Sequence, residues 1–208
     1  MTQNQRKMTQ NSILRRWLNN VDIFPPRLFL GLMNPVFDLL RAARCLLGYR
    51  QVDAEARFGM KDKAIHRLEA GHFKLLPREA FLLKARYQDE GVEFTDAADG
   101  HGPGVRWKVA GKVPGKDNPD FFGSRLFRAA RGLANISQRK LADLANVDPS
   151  FIARLERDRF GSINEVTLRK IEVALRQLNI EITPETGSYG AGVRWISHPN
   201  ERSQLSRD

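Results

Sequence analysis

The residues able to do chemistry are few, and their spacing does not suit catalysis. The four histidines, His66, His72, His101 and His198, lack the spacing of metal ligands. No Ser/His/Asp or Cys/His set stands out, so neither an enzyme nor a bound cofactor is expected. Residues 100–104 are glycine-rich but do not open a helix, and read as a hairpin loop rather than a phosphate cradle. Glu69 and Glu156 are expected to pair with Arg44 and Arg131 rather than to act as acids or bases. What remains is cationic chemistry. Thirty-four Lys and Arg stand against 24 Asp and Glu, a formal net charge of +10, and the pI is about 10.2. That excess points to a polyanionic partner, either nucleic acid or an anionic surface.

The remaining composition narrows the class. No run of about 20 apolar residues is present, so no membrane-spanning segment is expected. A single cysteine permits no internal disulfide and fits a reducing cytoplasm, the expected location being the nucleoid. Residues 1–33 read as a basic, partly disordered arm without a signal-peptide pattern, with one short helix near 13–17. Met33 stands immediately before the patterned region, which makes it an alternative start.

The cations sit in elements that occur twice. Residues 39–69 match residues 126–156 at 11 of 31 positions, without a gap, at an offset of 87. The pairs include Arg44 with Arg131, Gln51 with Gln138, and Glu69 with Glu156. Gly104-Val105-Arg106-Trp107 returns as Gly192-Val193-Arg194-Trp195 at an offset of 88, as if one residue were gained between the helical part and the tail. This is the duplication of a domain-sized unit of about 70 residues, not a short solenoid repeat. Cys45 takes the place of Gly132 and reads as a small packing residue.

In the second copy, apolar periodicity predicts helices over 121–133, 138–145, 149–157 and 164–178. Ser137 and Asp148 are the predicted N-caps and Pro149 the first residue of the third helix. Strand alternation at 180–182 and 193–195 predicts a hairpin. The first copy predicts helices near 35–47, 51–58, 62–70 and 77–89 and a hairpin of 92–94 with 105–107. The organisation expected is an arm (1–33), a first repeat (34–107), a linker (108–120), a second repeat (121–196) and a polar tail (197–208). The fold class is mainly α: two helical domains, each followed by a small β-hairpin. An open hairpin edge is a possible surface for a second copy or a partner protein.

Two short helices joined by a tight turn, the second rich in cations, form a helix-turn-helix, whose second helix can enter the major groove. The run from Ser137 to Glu156, with Gln138, Leu141-Ala142, Val147, Ile152 and Leu155-Glu156 in register, resembles the XRE-type, or lambda-repressor-like, helix-turn-helix family. The resemblance covers about 122–178, and 36–90 less fully. Bacterial members of that family carry a hairpin tail like Gly91-Val92-Glu93-Phe94 with Gly104-Val105-Arg106.

The resemblance implies double-stranded DNA as partner and carries roles over by position. Gln138 would touch a phosphate or stack beside the recognition helix. Pro149, Ser150, Ala153 and Arg154 would face the groove, Arg154 reading guanine through its two-pronged fork. Arg157 and Arg159 would hold phosphates. In the first repeat the matching residues are Gln51, Asp62, Lys63, His66 and Arg67. That repeat departs from the family at Ala54-Glu55, where Leu-Ala is usual, and at Phe58 in the tight turn.

The function expected is that of a sequence-specific transcriptional regulator reading an asymmetric site with two different helices. Two other classes stand beside it. One is a protein-interaction module, anti-activator or antitoxin-like. The other is an architectural DNA binder with little sequence preference.

Overall fold

Left-handed turns divide the chain, and the two halves build them differently. Where the first half has Gly48, Gly59 and Gly91, the second has Asn135, Asn146 and Asn179, and all six have positive φ. Glycine enters that region freely and asparagine at low cost, which is why helices end there.

The computed structural model describes residues 35–111, 120–157 and 165–197. The arm, its short helix, residues 112–119 of the expected linker, Arg159, His198 and the rest of the tail lie outside the described residues. Among those described, the first half forms α1 (Val36–Leu47), α2 (Gln51–Phe58), α3 (Ala64–Ala70), α4 (Arg78–Asp89), β1 (Val92–Thr95) and β2 (Gly104–Trp107). The second half repeats the order as α5 (Asp120–Leu133), α6 (Gln138–Ala145), α7 (Pro149–Leu155), α8 (Glu165–Gln177), β3 (Ile180–Thr183) and β4 (Gly192–Trp195). The protein is thus mainly helical with one small antiparallel sheet. Buried Leu83 and Tyr87 of α4 match buried Ile171 and Leu175 of α8, already at the offset of 88. The extra residue therefore enters ahead of the fourth helix, not after the helical part as the sequence suggested.

The hairpins do not stay apart. β2 pairs with β4, giving one four-stranded sheet in the order β1-β2-β4-β3. The central register is symmetric: Val105 faces Val193, Gly104 faces Arg194, and Arg106 faces Gly192. Its flanking hydrogen bonds also come in exchanged pairs. Trp107 N–H donates to Ala191 O at 3.1 Å and Trp195 N–H to Pro103 O at 3.2 Å; Gly190 N–H donates to Trp107 O at 2.9 Å and Gly102 N–H to Trp195 O at 3.0 Å. Such self-complementary pairing is the signature of a two-fold interface, here closed within one chain.

The glycines of the Gly-Val-Arg-Trp repeat make this possible. A Cβ on Gly104 would collide with the carbonyl oxygen of Val193, and one on Gly192 with that of Val105. Below the sheet, α1 packs on α5 with Gly132 against Cys45: a Cβ on Gly132 would lie 3.0 Å from Cys45 Sγ. Arg128 donates to Gly48 O and Tyr49 O, at 3.1 Å each, satisfying carbonyls at the end of α1. The buried apolar residues of both halves form one core, from Leu40 and Leu46 through Trp107 to Leu133 and Ile180. The spacing of the halves is therefore set by sheet pairing and helix packing, not by the reach of the linker. No helix among the described residues is long and apolar enough to cross a membrane.

Candidate nucleic-acid interface

The second half presents the more regular helix pair. Ser137 Oγ accepts from Lys140 N–H at 3.1 Å and opens α6. Asn146 closes it in the left-handed conformation. Asp148 then caps α7, its carboxylate accepting from Ser150 N–H at 2.7 Å, and hydrogen bonding from the Ser150 side chain, then from its backbone, holds the Asp148 pKa below the ordinary carboxylate value. Pro149 occupies the first turn, where no N–H is needed. Ile152 and Leu155 are buried. Pro149, Ser150, Arg154 and Arg157 are left exposed on the outside, with Ala153 half-buried beside them. Neither Arg154 nor Arg157 forms an ion pair with a described residue.

The first half differs at this point. α3 begins at Ala64, two residues later than its counterpart, because Lys61-Asp62 replaces the capping Asp148-Pro149. Lys63, expected on the recognition helix, instead precedes it as a left-handed N-cap with φ 58°, and Asp62 lies in the turn. His66 and Arg67 are on α3 and exposed, opposite buried Ile65, Leu68 and Glu69.

Glu55, out of pattern in the sequence, supplies the missing cap. It is 6% exposed, and its Oε1 accepts from Ile65 N–H in the first turn of α3 at 2.9 Å. Sequence reasoning missed this role, although the absence of Asp-Pro before α3 was a usable signal. Replacing Glu55 with alanine, the residue at the same place in the second half, leaves that buried N–H unpartnered. The expected loss is about 1–2 kcal/mol of stability by denaturant titration, with Glu55→Gln retaining most of it.

Behind each helix pair sits the same triad, its ion pair buried in the first half and partly buried in the second. Arg44 meets Glu69 through Nε–Oε1 at 2.6 Å and a second bond of 2.8 Å, and Gln51 Nε2 donates to Glu69 Oε2 at 2.9 Å. Arg131, Glu156 and Gln138 repeat this with 2.6, 2.8 and 2.8 Å. Burial opposes the charge on Arg44 and Arg131, but the hydrogen bonds to the carboxylates outweigh it and hold both pKa values above the ordinary guanidinium value. The pairing expected of Glu69 and Glu156 is thus present. Gln51 and Gln138 are half-buried, and their amides lock the start of one helix to the end of the next. Arg41, not singled out from the sequence, donates to the backbone oxygen of Glu69 and to Gly132 O in the other half.

Residues 127–182 match the helix-turn-helix family model. The match runs from α5 to β3, so it contains α6, α7 and the triad of Arg131, Gln138 and Glu156. The rest of the chain, the first half included, lies outside it. No curated protein and no solved structure matches the chain. The helix-turn-helix of the second half thus joins a capped α7, backed by the triad, to an outer face of exposed cations. That face can donate charge-assisted hydrogen bonds to phosphates and base edges.

Proposed function

We propose that the protein binds double-stranded DNA as a sequence-specific transcriptional regulator. In this reading α7 lies in one major groove and α3 in a neighbouring one. The observation that carries it is the outer face of α7 and the turn that follows it, where the exposed Arg154 and Arg157 form no ion pair with a described residue and α7 is fixed from behind by the Arg131–Glu156–Gln138 triad. Arg154 is the base-reading residue and Arg157 a phosphate contact; on the first half, Arg67 and His66 are the counterparts. Lys63, held at the helix start, meets phosphate. The two-fold relation of the halves within one chain supports a site with two half-sites and a single bound molecule. The two outer faces differ, with His66 where α7 has Ala153, so the site is asymmetric.

Selection from a randomised duplex pool, with sequencing of the bound fraction, tests this. An asymmetric motif is expected. Arg154→Ala is expected to relax one half of it and Arg67→Ala the other, each by about 1–3 kcal/mol of discrimination. Affinity should fall steeply with salt in all three proteins. Enrichment of nothing but a perfect palindrome, or of no motif at all, would refute the two-headed reading. Sensitivity to Arg154→Ala alone would leave the first half as scaffold.

A further inference from the structure

The first half carries a groove of which the DNA-binding reading uses only Arg67, at its rim. It lies between the α2–α3 turn and α4 and has a volume of about 580 Å³. Phe58, Leu68 and Leu83 line it along with Phe73 and Leu82, which are 39% and 44% exposed. Leu75 (79% exposed) and Phe81 (53%) are further exposed apolar side chains on the same loop and helix. That extent suits a chain segment better than a small molecule.

The second half serves as an internal control. At the offset of 88, Phe81 and Leu82 become Arg169 and Lys170; at the offset of 87, Phe58 becomes Ala145. The helix therefore does not need apolar side chains at Phe81 and Leu82, since the same element is built with cations in their places, whereas Phe58 also packs on Tyr49 and Tyr87.

The charge around the groove selects the occupant. Lys61, Arg67 and Arg86 line it against one acid, Glu79, and none of the three cations forms an ion pair with a described residue. A second copy of this chain, at a net charge of +10, would bring like charge to the rim. Phosphate would meet an apolar floor. On α4, Glu79, Leu82, Leu83 and Arg86 fall at i, i+3, i+4 and i+7, a single ridge against which a helix can lie. We propose that this groove docks an acidic amphipathic helix of a partner protein, its apolar stripe on Leu82, Phe73 and Phe58 and its carboxylates on Lys61, Arg67 and Arg86. This does not depend on the DNA-binding reading.

The test uses the full chain and a labelled synthetic peptide of about five helical turns, with leucines along one face and glutamates on the other, read by fluorescence anisotropy. Binding is expected on the order of micromolar. Leu82→Lys, which installs the residue of the second half, and Arg86→Glu should each weaken it by about tenfold or more. Both side chains are exposed, so thermal unfolding should be unchanged, and DNA binding by Leu82→Lys should equal that of the parent. Failure of the peptide to bind would overturn the proposal. So would equal binding of a peptide with lysine for glutamate, or indifference to Leu82→Lys. Self-association in sedimentation that Leu82→Lys abolishes would overturn it too, giving the groove to a second copy.

Discussion

Glu69→Ala is expected to remove about 3–5 kcal/mol of folding stability, the cost of leaving a buried charge unpaired. Glu69 is 3% exposed and holds two of the three guanidinium nitrogens of Arg44, itself 9% exposed at its side chain, together with the amide of Gln51. Alanine strands the nearly buried guanidinium donors of Arg44, while the half-buried Gln51 amide keeps some access to solvent. For a protein of this size such a loss is a large fraction of the whole stability, and it shows as a lower denaturant midpoint. Glu156→Ala should cost less, because Arg131 is 19% exposed and can turn to solvent. Replacing Arg44 and Glu69 together with leucines should recover much of the loss, since the penalty is the unpaired charge rather than the pair itself. If Glu69→Ala unfolds at the parent midpoint, the triad is ornamental and the fixed placement of α3 needs another cause.

Gly192→Val is expected to break the joint between the halves. The added carbons would occupy the position of Val105 O and press on the backbone and Cβ of Arg106. Neither is the far end of a flexible side chain, so β4 must move away from β2. The hydrogen bonds beside it, Trp107 N–H to Ala191 O and Gly190 N–H to Trp107 O, go with it. A loss of about 3 kcal/mol or more is expected, with a broader unfolding transition as the halves uncouple. Gly104→Val should do the same by the pseudo-symmetry. Gly123→Ala is the control: nothing lies within 4 Å of its Cβ position, and alanine favours the helix by up to about 1 kcal/mol. Under the proposed function, Gly192→Val also weakens DNA binding while each helix keeps its own contacts, because the fixed spacing of the two heads is lost. Equal stability of Gly192→Val and Gly123→Ala would remove the sheet from the account of how the halves are held.

The helical frame was legible because its signals are local. Apolar periodicity, Ser137 and Asp148 as caps, Pro149 behind one of them, and the recurrence of arginine, glutamine and glutamate placed the helices within one or two residues, the later start of α3 included. The pairing of Arg44 with Glu69 was legible for a related reason. A duplicated, otherwise exposable charge pair at constant spacing implies a constant contact. The early end of α7 at Leu155 and the late start of α3 were not, because both depend on which group satisfies the first and last backbone amides of a short helix. For α3 that group is Glu55, ten positions away in sequence.

Local signals set the unit: four helices and a hairpin, made twice, with cations on the third helix. Those features arise from contacts within a few turns, and each leaves its own pattern. How the two units meet depends on contacts between residues far apart in the chain. The strands β2 and β4 are four residues each and read alike from either side. An exposed edge and a paired edge have the same side-chain alternation, because the pairing runs through backbone amides that every residue carries. The clue was the glycine opening each Gly-Val-Arg-Trp, which looked like turn chemistry. It becomes a joint only when the partner backbone lies against it, a fact of distance between residues 88 apart.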